Sequence, residues 1–87
     1  MSEKLLVVEE AFVARGKGVL VMPRFTTESP RRGSFAVHLR FPDGSEREVQ
    51  AEMEVSHVRG SLAPYAMYRL HGISPAEVPA GTEIWSR

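Results

Sequence analysis

The chain has 87 residues, no cysteine, and 11 basic and 11 acidic side chains that cancel. This length supports one modest hydrophobic core over residues 1–87 and excludes a two-domain enzyme, while the absence of cysteine excludes disulfides, thiolate nucleophiles and cysteine-ligated zinc. A pI near 6.8 also lacks the basic excess typical of domains that bind nucleic acid through phosphates.

Residues 5–13 form an apolar run that Glu9 and Glu10 interrupt. Its valine, leucine and phenylalanine content favours a first strand, and the two glutamates predict a bulge or a change of exposed face within it. The apolar part is too short for a signal-peptide core or a membrane span. We therefore expect a cytoplasmic protein with no membrane partner.

The glycine–lysine–glycine run at residues 16–18 supplies positions that tolerate a positive φ, which predicts a reversal between two antiparallel strands. Residues 19–22 are apolar at four successive positions and predict a strand covered on both faces. Pro23 is expected to end the regular pairing of that strand. The polar run of residues 26–33 predicts the most mobile loop.

Two strictly alternating segments, residues 34–41 and 46–55, predict the strands of a hairpin. The side chains expected to point inward are Phe35, Val37, Leu39 and Phe41, then Val49, Ala51, Met53 and Val55. A two-residue turn would set inward side chains beside outward ones, so we exclude it. A three-residue turn at residues 42–44, with its glycine left-handed, pairs Val37 with Val49 and keeps both faces consistent.

The same register places Arg40 opposite Glu46 and His38 opposite Glu48 on the outward face. Such cross-strand pairs contribute about 0.2–1 kcal/mol each. They predict a hairpin whose solvent face is held by opposite charges.

The C-terminal third continues the β pattern. The alternation shifts phase after residue 55, which predicts a bend at residues 56–57 before a connection at 60–64. Residues 65–71 predict a strand with Ala66, Tyr68 and Leu70 on one face, and residues 82–85 a closing strand. Between them, a serine, a proline and a glutamate in capping-box order predict one short helical turn near residues 74–78. Six short strands and one helical turn indicate an all-β barrel or sandwich.

Two stretches resemble a known family. Residues 16–21, preceded by Glu9-Glu10-Ala11-Phe12, resemble the opening of the second domain of translational GTPases such as elongation factor Tu. Residues 70–73, followed by Glu77-Val78 and Gly81-Thr82-Glu83-Ile84, are similar to that domain's ending. The resemblance implies an all-β fold, a closed six-stranded antiparallel Greek-key barrel of the elongation-factor domain 2 or reductase–isomerase type.

The middle of the chain departs from this pattern. Residues 29–33 replace the family's usual glycine–acid turn, and Pro23 stands where the family commonly has a small residue. The sequence has no glycine-rich phosphate loop ending in Gly-Lys-Ser/Thr, so we expect no nucleotide and no GTPase activity. No tRNA-contacting residue of the family maps onto a position here, and fold similarity does not carry function.

A local basic patch is the main candidate binding site. Four predicted members, Arg24, Arg31, Arg32 and Arg40, lie on or beside the loop at residues 26–33, and together with Lys17 and Arg15 they could form the patch. Such arginines can position an RNA backbone, and Phe25, Tyr65 or Tyr68 could stack bases. The plainer interpretation is that these arginines are ordinary solvated surface residues, since neither a basic pI nor a recognition motif supports RNA binding.

No other pattern indicates chemistry. The three histidines, His38, His57 and His71, lack metal-ligand spacing, so we predict no metal. Glu52 and Glu54 have no apolar surroundings that would raise a pKa, so a solvated face is favoured over an acid–base pair. We predict no catalytic residue and no cofactor.

Three functions remain open from the residues alone. The leading prediction is a non-catalytic binding module that engages a protein or a structured RNA through the loop at residues 26–33, since loops on rigid scaffolds carry binding residues. The first alternative is a tRNA- or rRNA-binding accessory protein. The second is a small-ligand carrier or enzyme with an enclosed pocket in the barrel mouth.

Overall fold

A computed structural model describes residues 2–13, 17–27, 31–57, 59–60 and 64–87. In these ranges the chain forms seven strands and one 3₁₀ turn: β1 (Lys4–Val7), β2 (Glu10–Val13), β3 (Val19–Thr26), β4 (Phe35–Arg40), β5 (Glu46–Ser56), β6 (Tyr65–Leu70), the turn at Pro75–Glu77, and β7 (Glu83–Ser86). The predicted all-β class is confirmed. No helix in the described ranges is long and apolar enough to span a membrane.

All seven strands belong to one antiparallel sheet in the order β1-β7-β4-β5-β6-β3-β2. The sheet curves into a half-barrel, so the predicted closed six-stranded barrel is wrong. The predicted first strand is divided at Val8 and Glu9, whose amides donate to the carbonyls of Thr82 and Met22, each at 2.8 Å. Because these bonds turn the segment toward different neighbours, β1 and β2 become the two edges of the sheet.

The core lies on the inner face of the curved sheet. It is a continuous cluster of apolar side chains that includes Val21, Val37, Leu39, Leu70 and Ile84. The inward positions predicted for β4 and β6 are confirmed, since Phe35, Val37, Leu39, Ala66, Tyr68 and Leu70 are buried. One buried polar side chain of the described part, Thr82, is satisfied because its hydroxyl donates to the Pro79 carbonyl at 2.7 Å.

The second half of β5 departs from its predicted facing. Val49 and Ala51 are buried as expected, but Val55 is 36% exposed. The cause is strand length: Ala51 pairs with Phe35, the first residue of β4, so the later residues of β5 extend past β4 and lose its cover. The inward side of this strand therefore becomes accessible towards its C-terminal end.

The β4–β5 hairpin has the predicted register. Val37 pairs with Val49, and the outward pairs Arg40–Glu46 and His38–Glu48 are also present. The three-residue turn is closed by the Gly44 amide, which donates to the Phe41 carbonyl at 2.9 Å. Gly44 has φ +89°, the left-handed conformation that the facing argument required.

The region around β3 bears out two further predictions. Pairing of β3 with β6 is regular up to Val21 and resumes at Phe25, so the interruption expected at Pro23 is present although the strand continues to Thr26. β2 and β3 pair antiparallel, with Val13 opposite Val19. The predicted reversal lies partly outside the described residues, which exclude 14–16, but Gly18 has the expected positive φ of 80°.

The predicted helical turn is also confirmed, as a 3₁₀ turn at Pro75–Glu77. The Glu77 carboxylate accepts hydrogen bonds from the Ser74 amide at 3.0 Å and the Ser74 hydroxyl at 2.9 Å. These local bonds satisfy polar groups at the start of the turn, as the capping-box pattern predicts.

Candidate binding cleft

The sheet has two ends with different connections. At one, here called the loop end, β3 and β5 finish and β4 and β6 begin, so it carries the connections at residues 27–34 and 57–64. At the other, the hairpin end, lie the β4–β5 turn and the β2–β3 reversal. Residues 28–30 of the predicted mobile loop and 61–63 of the predicted connection lie outside the described ranges.

The path of the chain brings arginines against β5 at the loop end. β5 and β6 lie between β3 and β4 in the sheet, and residues 31–33, which lead into β4, lie beside the second half of β5. The result is an open cleft of about 570 Å³, which we call the arginine cleft. Its lining residues are Arg31, Arg32, Gly33, Glu52, Met53, Glu54, Val55, His57 and Arg69.

The position of Arg31 is fixed by contacts with Phe35 and Met53. Its guanidinium carbon lies 4.4 Å from the centre of the Phe35 ring, and its amide donates to the Met53 sulfur at 3.3 Å. Phe35 in turn meets Tyr68 edge to face, with the ring centres 6.2 Å apart. Burial raises the pKa of Tyr68, and the positive charge of Arg31 opposes that rise. Arg31 is thus a cation anchored on an aromatic base, an arrangement that reduces the entropy lost on binding a ligand.

Several cations of the described part have no carboxylate within ion-pair distance. Lys4, Arg40, Arg47, Arg69 and Arg87 are paired. Within the described ranges, no such partner is found for Lys17, Arg24, Arg31, Arg32 and Arg59. Four of these five, all except Lys17, belong to the loop end or to the last residues of β3 that lead into it. Among the described residues, cations without an ion-pair partner are therefore concentrated around the arginine cleft.

The carboxylates of the cleft are already engaged. Glu54 accepts a hydrogen bond from Arg69 at 2.6 Å, and Arg69 also donates to the Lys17 carbonyl at 2.7 Å. Glu52 lies 2.7 Å from the ring nitrogen Nε2 of His71. Both glutamates thus take part in cross-strand pairs with β6 and the residue after it, an arrangement more specific than the solvated face that the sequence indicates.

The predicted basic residues separate into two groups. Arg31 and Arg32 lie together in the arginine cleft, and Arg24 lies near the same end with its guanidinium carbon 4.7 Å from the centre of the Tyr65 ring. Arg40 lies at the hairpin end, 3.8 Å from Glu46, whereas Lys17 adjoins the β6 side of the cleft, because its carbonyl accepts a hydrogen bond from Arg69 at 2.7 Å. Arg15 lies outside the described residues. The five candidates therefore do not share one surface, because β4 carries Arg40 away from the loop that precedes it.

Two of the predicted base-stacking aromatics pack against each other. Tyr68 is 5% exposed, and its ring centre is 4.9 Å from that of Phe25. Tyr68 therefore presents little surface for a base, and Phe25 is partly buried against the core. Among the described residues there is no group of three or more histidine, cysteine, aspartate or glutamate side chains that could hold a metal ion.

The sequence reasoning did not single out Met53, His57 or Arg69 as cleft residues. A signal for Arg69 was present, because it alternates outward on its strand and the glutamates of the neighbouring strand alternate outward too. Antiparallel pairing of residues 65–70 with 51–56 would have placed Arg69 opposite Glu52, as the sheet does. His57 and Met53 line the cleft because β5 extends past the first residue of β4.

No protein-family model, curated protein or solved structure matches this chain. The resemblance of its two ends to the second domain of translational GTPases therefore has no support beyond those motifs and stays a prediction.

Proposed function

We propose that the protein is a non-catalytic binding module that engages a protein partner through the loop at residues 26–33 and the arginine cleft. One observation carries the proposal: Arg31 and Arg32 face an open cleft of about 570 Å³ without a carboxylate partner among the described residues. Uncompensated cations fixed beside a concave surface are suited to hold an anionic group of a partner.

The packing supports binding rather than catalysis. Apolar side chains fill the inner face of the sheet, and the arginine cleft is an open surface cleft rather than an enclosed chamber. Its two carboxylates are hydrogen-bonded to Arg69 and His71. A general acid or base must reach the proton that it transfers, and these carboxylates instead contact neighbouring side chains of their own sheet.

The charge pattern favours a protein over RNA. A phosphate backbone lying in the cleft would pass the Glu52 and Glu54 carboxylates, and the whole chain has a net charge of zero. RNA binding through phosphates depends on an extended positive surface. A protein partner can offer one acidic group to Arg31 and Arg32 and otherwise avoid the glutamates.

The test is capture of partners from the lysate of the source cell, with both bound protein and bound RNA identified. Replacing Arg31→Glu together with Arg32→Glu should abolish capture while the melting temperature changes little. The control is Lys4→Glu with Arg87→Glu, which makes the same charge change on the β1 and β7 side and should keep capture. Undiminished capture by the first variant would refute the proposal, and RNA in place of protein would support the RNA-binding alternative.

A further inference from the structure

We infer that the arginine cleft recognises a carboxylate next to an apolar side chain, as found in an acidic segment of a peptide. This inference rests on the proposed function and names the chemistry that the same site selects. It follows from three properties of the lining: its surplus charge, the fixed position of Arg31, and the apolar patch on β5.

The surplus charge limits how many negative groups the cleft can accept. Its lining contains three arginines and two glutamates, which together leave an excess of one positive charge. Arg69 already binds Glu54 at 2.6 Å, so Arg31 and Arg32 are the cations left for a ligand. A ligand with one carboxylate balances this excess, whereas a run of phosphates would bring several charges close to Glu52 and Glu54.

The position of Arg31 selects the geometry of the anion. Its guanidinium carbon lies over the Phe35 ring, 4.4 Å from the ring centre, and its N–H groups are the donors that can meet a ligand. Guanidinium edges and carboxylates match as planar groups that form two parallel hydrogen bonds. Arg32 follows directly in the chain and supplies a second cation that no described residue pairs with.

The apolar patch selects the neighbour of the carboxylate. Met53 and Val55 line the cleft, and Val55 is 36% exposed although the alternation of β5 predicts it to be inward. Methionine adapts its shape to different apolar partners. A ligand side chain such as leucine would cover these groups, while its neighbouring carboxylate meets the arginines on the facing wall.

The size of the cleft fits this ligand. Ligand sites typically enclose roughly 300–1,000 Å³, and the cleft has about 570 Å³. That space holds the side chains of a short segment and not a folded domain. The carboxylate could belong to an aspartate or glutamate side chain or to a free C-terminus, and the chemistry recognised is the same.

The experiment measures peptide binding by NMR, which detects weak complexes and reports their position. The first probe is a short capped peptide with one glutamate followed by one leucine, and the second has the same leucine at a free C-terminal carboxylate. Three matched peptides replace the glutamate by glutamine, the leucine by serine, or the glutamate by phosphoserine. A short single-stranded RNA completes the set.

We expect saturable shifts of the amides of residues 31–33 and 53–55 with one or both carboxylate peptides at millimolar concentration. The source of the carboxylate is whichever of the two binds more tightly. Replacing the glutamate by glutamine should weaken binding roughly tenfold, equivalent to about 1.4 kcal/mol. Arg32→Gln should weaken it similarly, and Arg32→Lys should retain part of it, because lysine keeps the charge but loses the planar fork.

Shifts of equal size with the glutamine peptide, or no shifts at these residues with either carboxylate peptide, would overturn the inference. Tighter binding of phosphoserine or of RNA than of the carboxylate would overturn it as well. The proposed function is tested by a separate result. If protein capture depends on Arg31 and Arg32 but the peptides with a carboxylate do not bind, only the assignment of the ligand is refuted. Absence of any Arg31- and Arg32-dependent capture would refute the binding module itself.

Discussion

The hairpin end and the loop end of the sheet differ in what their charged side chains contact, although one strand, β5, reaches both. In its first half Glu46 lies 3.8 Å from Arg40, Arg47 lies 3.0 Å from Glu77, and Glu48 lies 3.0 Å from Arg87. In its second half the glutamates are also paired, but Arg31 and Arg32 of the facing loop have no ion-pair partner among the residues that the structure describes. Ion pairs therefore join neighbouring elements at the hairpin end, whereas arginines without an ion-pair partner among the described residues collect at the loop end.

The largest expected effect concerns two residues that the sequence places on the same inward side of the hairpin. Leu39→Ala should lower the free energy of unfolding by about 2–5 kcal/mol, because Leu39 is 0% exposed in the core. Val55→Ala should lower it by less than about 0.5 kcal/mol, because Val55 extends past the cover of β4. Urea denaturation of both variants measures the contrast, and equal losses would contradict the proposed difference between the ends.

The second prediction compares the stability contributions of two arginines that line the cleft: Arg69, which is paired, and Arg32, which has no partner among the described residues. Arg69→Ala should cost about 1–3 kcal/mol of unfolding free energy, since it removes the hydrogen bonds to Glu54 and the Lys17 carbonyl. Arg32→Ala should change it by less than about 0.5 kcal/mol, because no described residue pairs with it. Thermal unfolding of the two variants provides the comparison, and a large loss in Arg32→Ala would assign that side chain a structural role.

The third and smallest predicted change is in the pKa of Asp43, which lies in the β4–β5 turn at the hairpin end. The hydrogen bond from the Ser45 hydroxyl, followed by that from the Ser45 amide, holds the pKa of Asp43 below its ordinary value of 3.8. A lowered pKa in the folded state means that the contribution of Asp43 to stability is present above the unfolded-state pKa. It is lost as the pH falls through the lower pKa of the folded state.

Replacing Ser45→Ala should therefore raise the pKa of Asp43 towards 3.8. Carboxyl-carbon NMR shifts followed against pH measure this change, with Ser34→Ala as a matched control at an exposed position away from the turn. A pKa that stays unchanged in Ser45→Ala would show that the turn does not depend on this hydroxyl.

The hairpin end was predictable in detail because its information is local. Alternation assigned the faces of β4 and β5, and the facing requirement then selected a three-residue turn with left-handed Gly44 and the Val37–Val49 register. The capping pattern of the 3₁₀ turn is equally local, since its donor and acceptor lie three residues apart. In both places the residues that decide the structure are close neighbours along the chain.

The loop end was predictable only in part because its contacts join distant segments. Basic residues at 24, 31 and 32 were identified, but the cation–aromatic contact between Arg31 and Phe35 and the pairing of Arg69 with Glu54 depend on which strands become neighbours. Arg40, at the far end of β4, lies apart from these residues for the same reason. Proximity in sequence to a loop does not place two side chains at the same end of a sheet.

Periodicity and turn chemistry act over a few residues, and they were sufficient to assign the all-β class, the inward sides of β4 and β6, and the hairpin register. The division of residues 5–13 into two edge strands and the seven-stranded half-barrel became visible only in the folded sheet. The same holds for the extension of β5 past β4, which leaves Met53 and Val55 beside arginines that have no ion-pair partner among the described residues. These outcomes depend on strand order and relative strand length, which are set by packing between segments far apart in the chain.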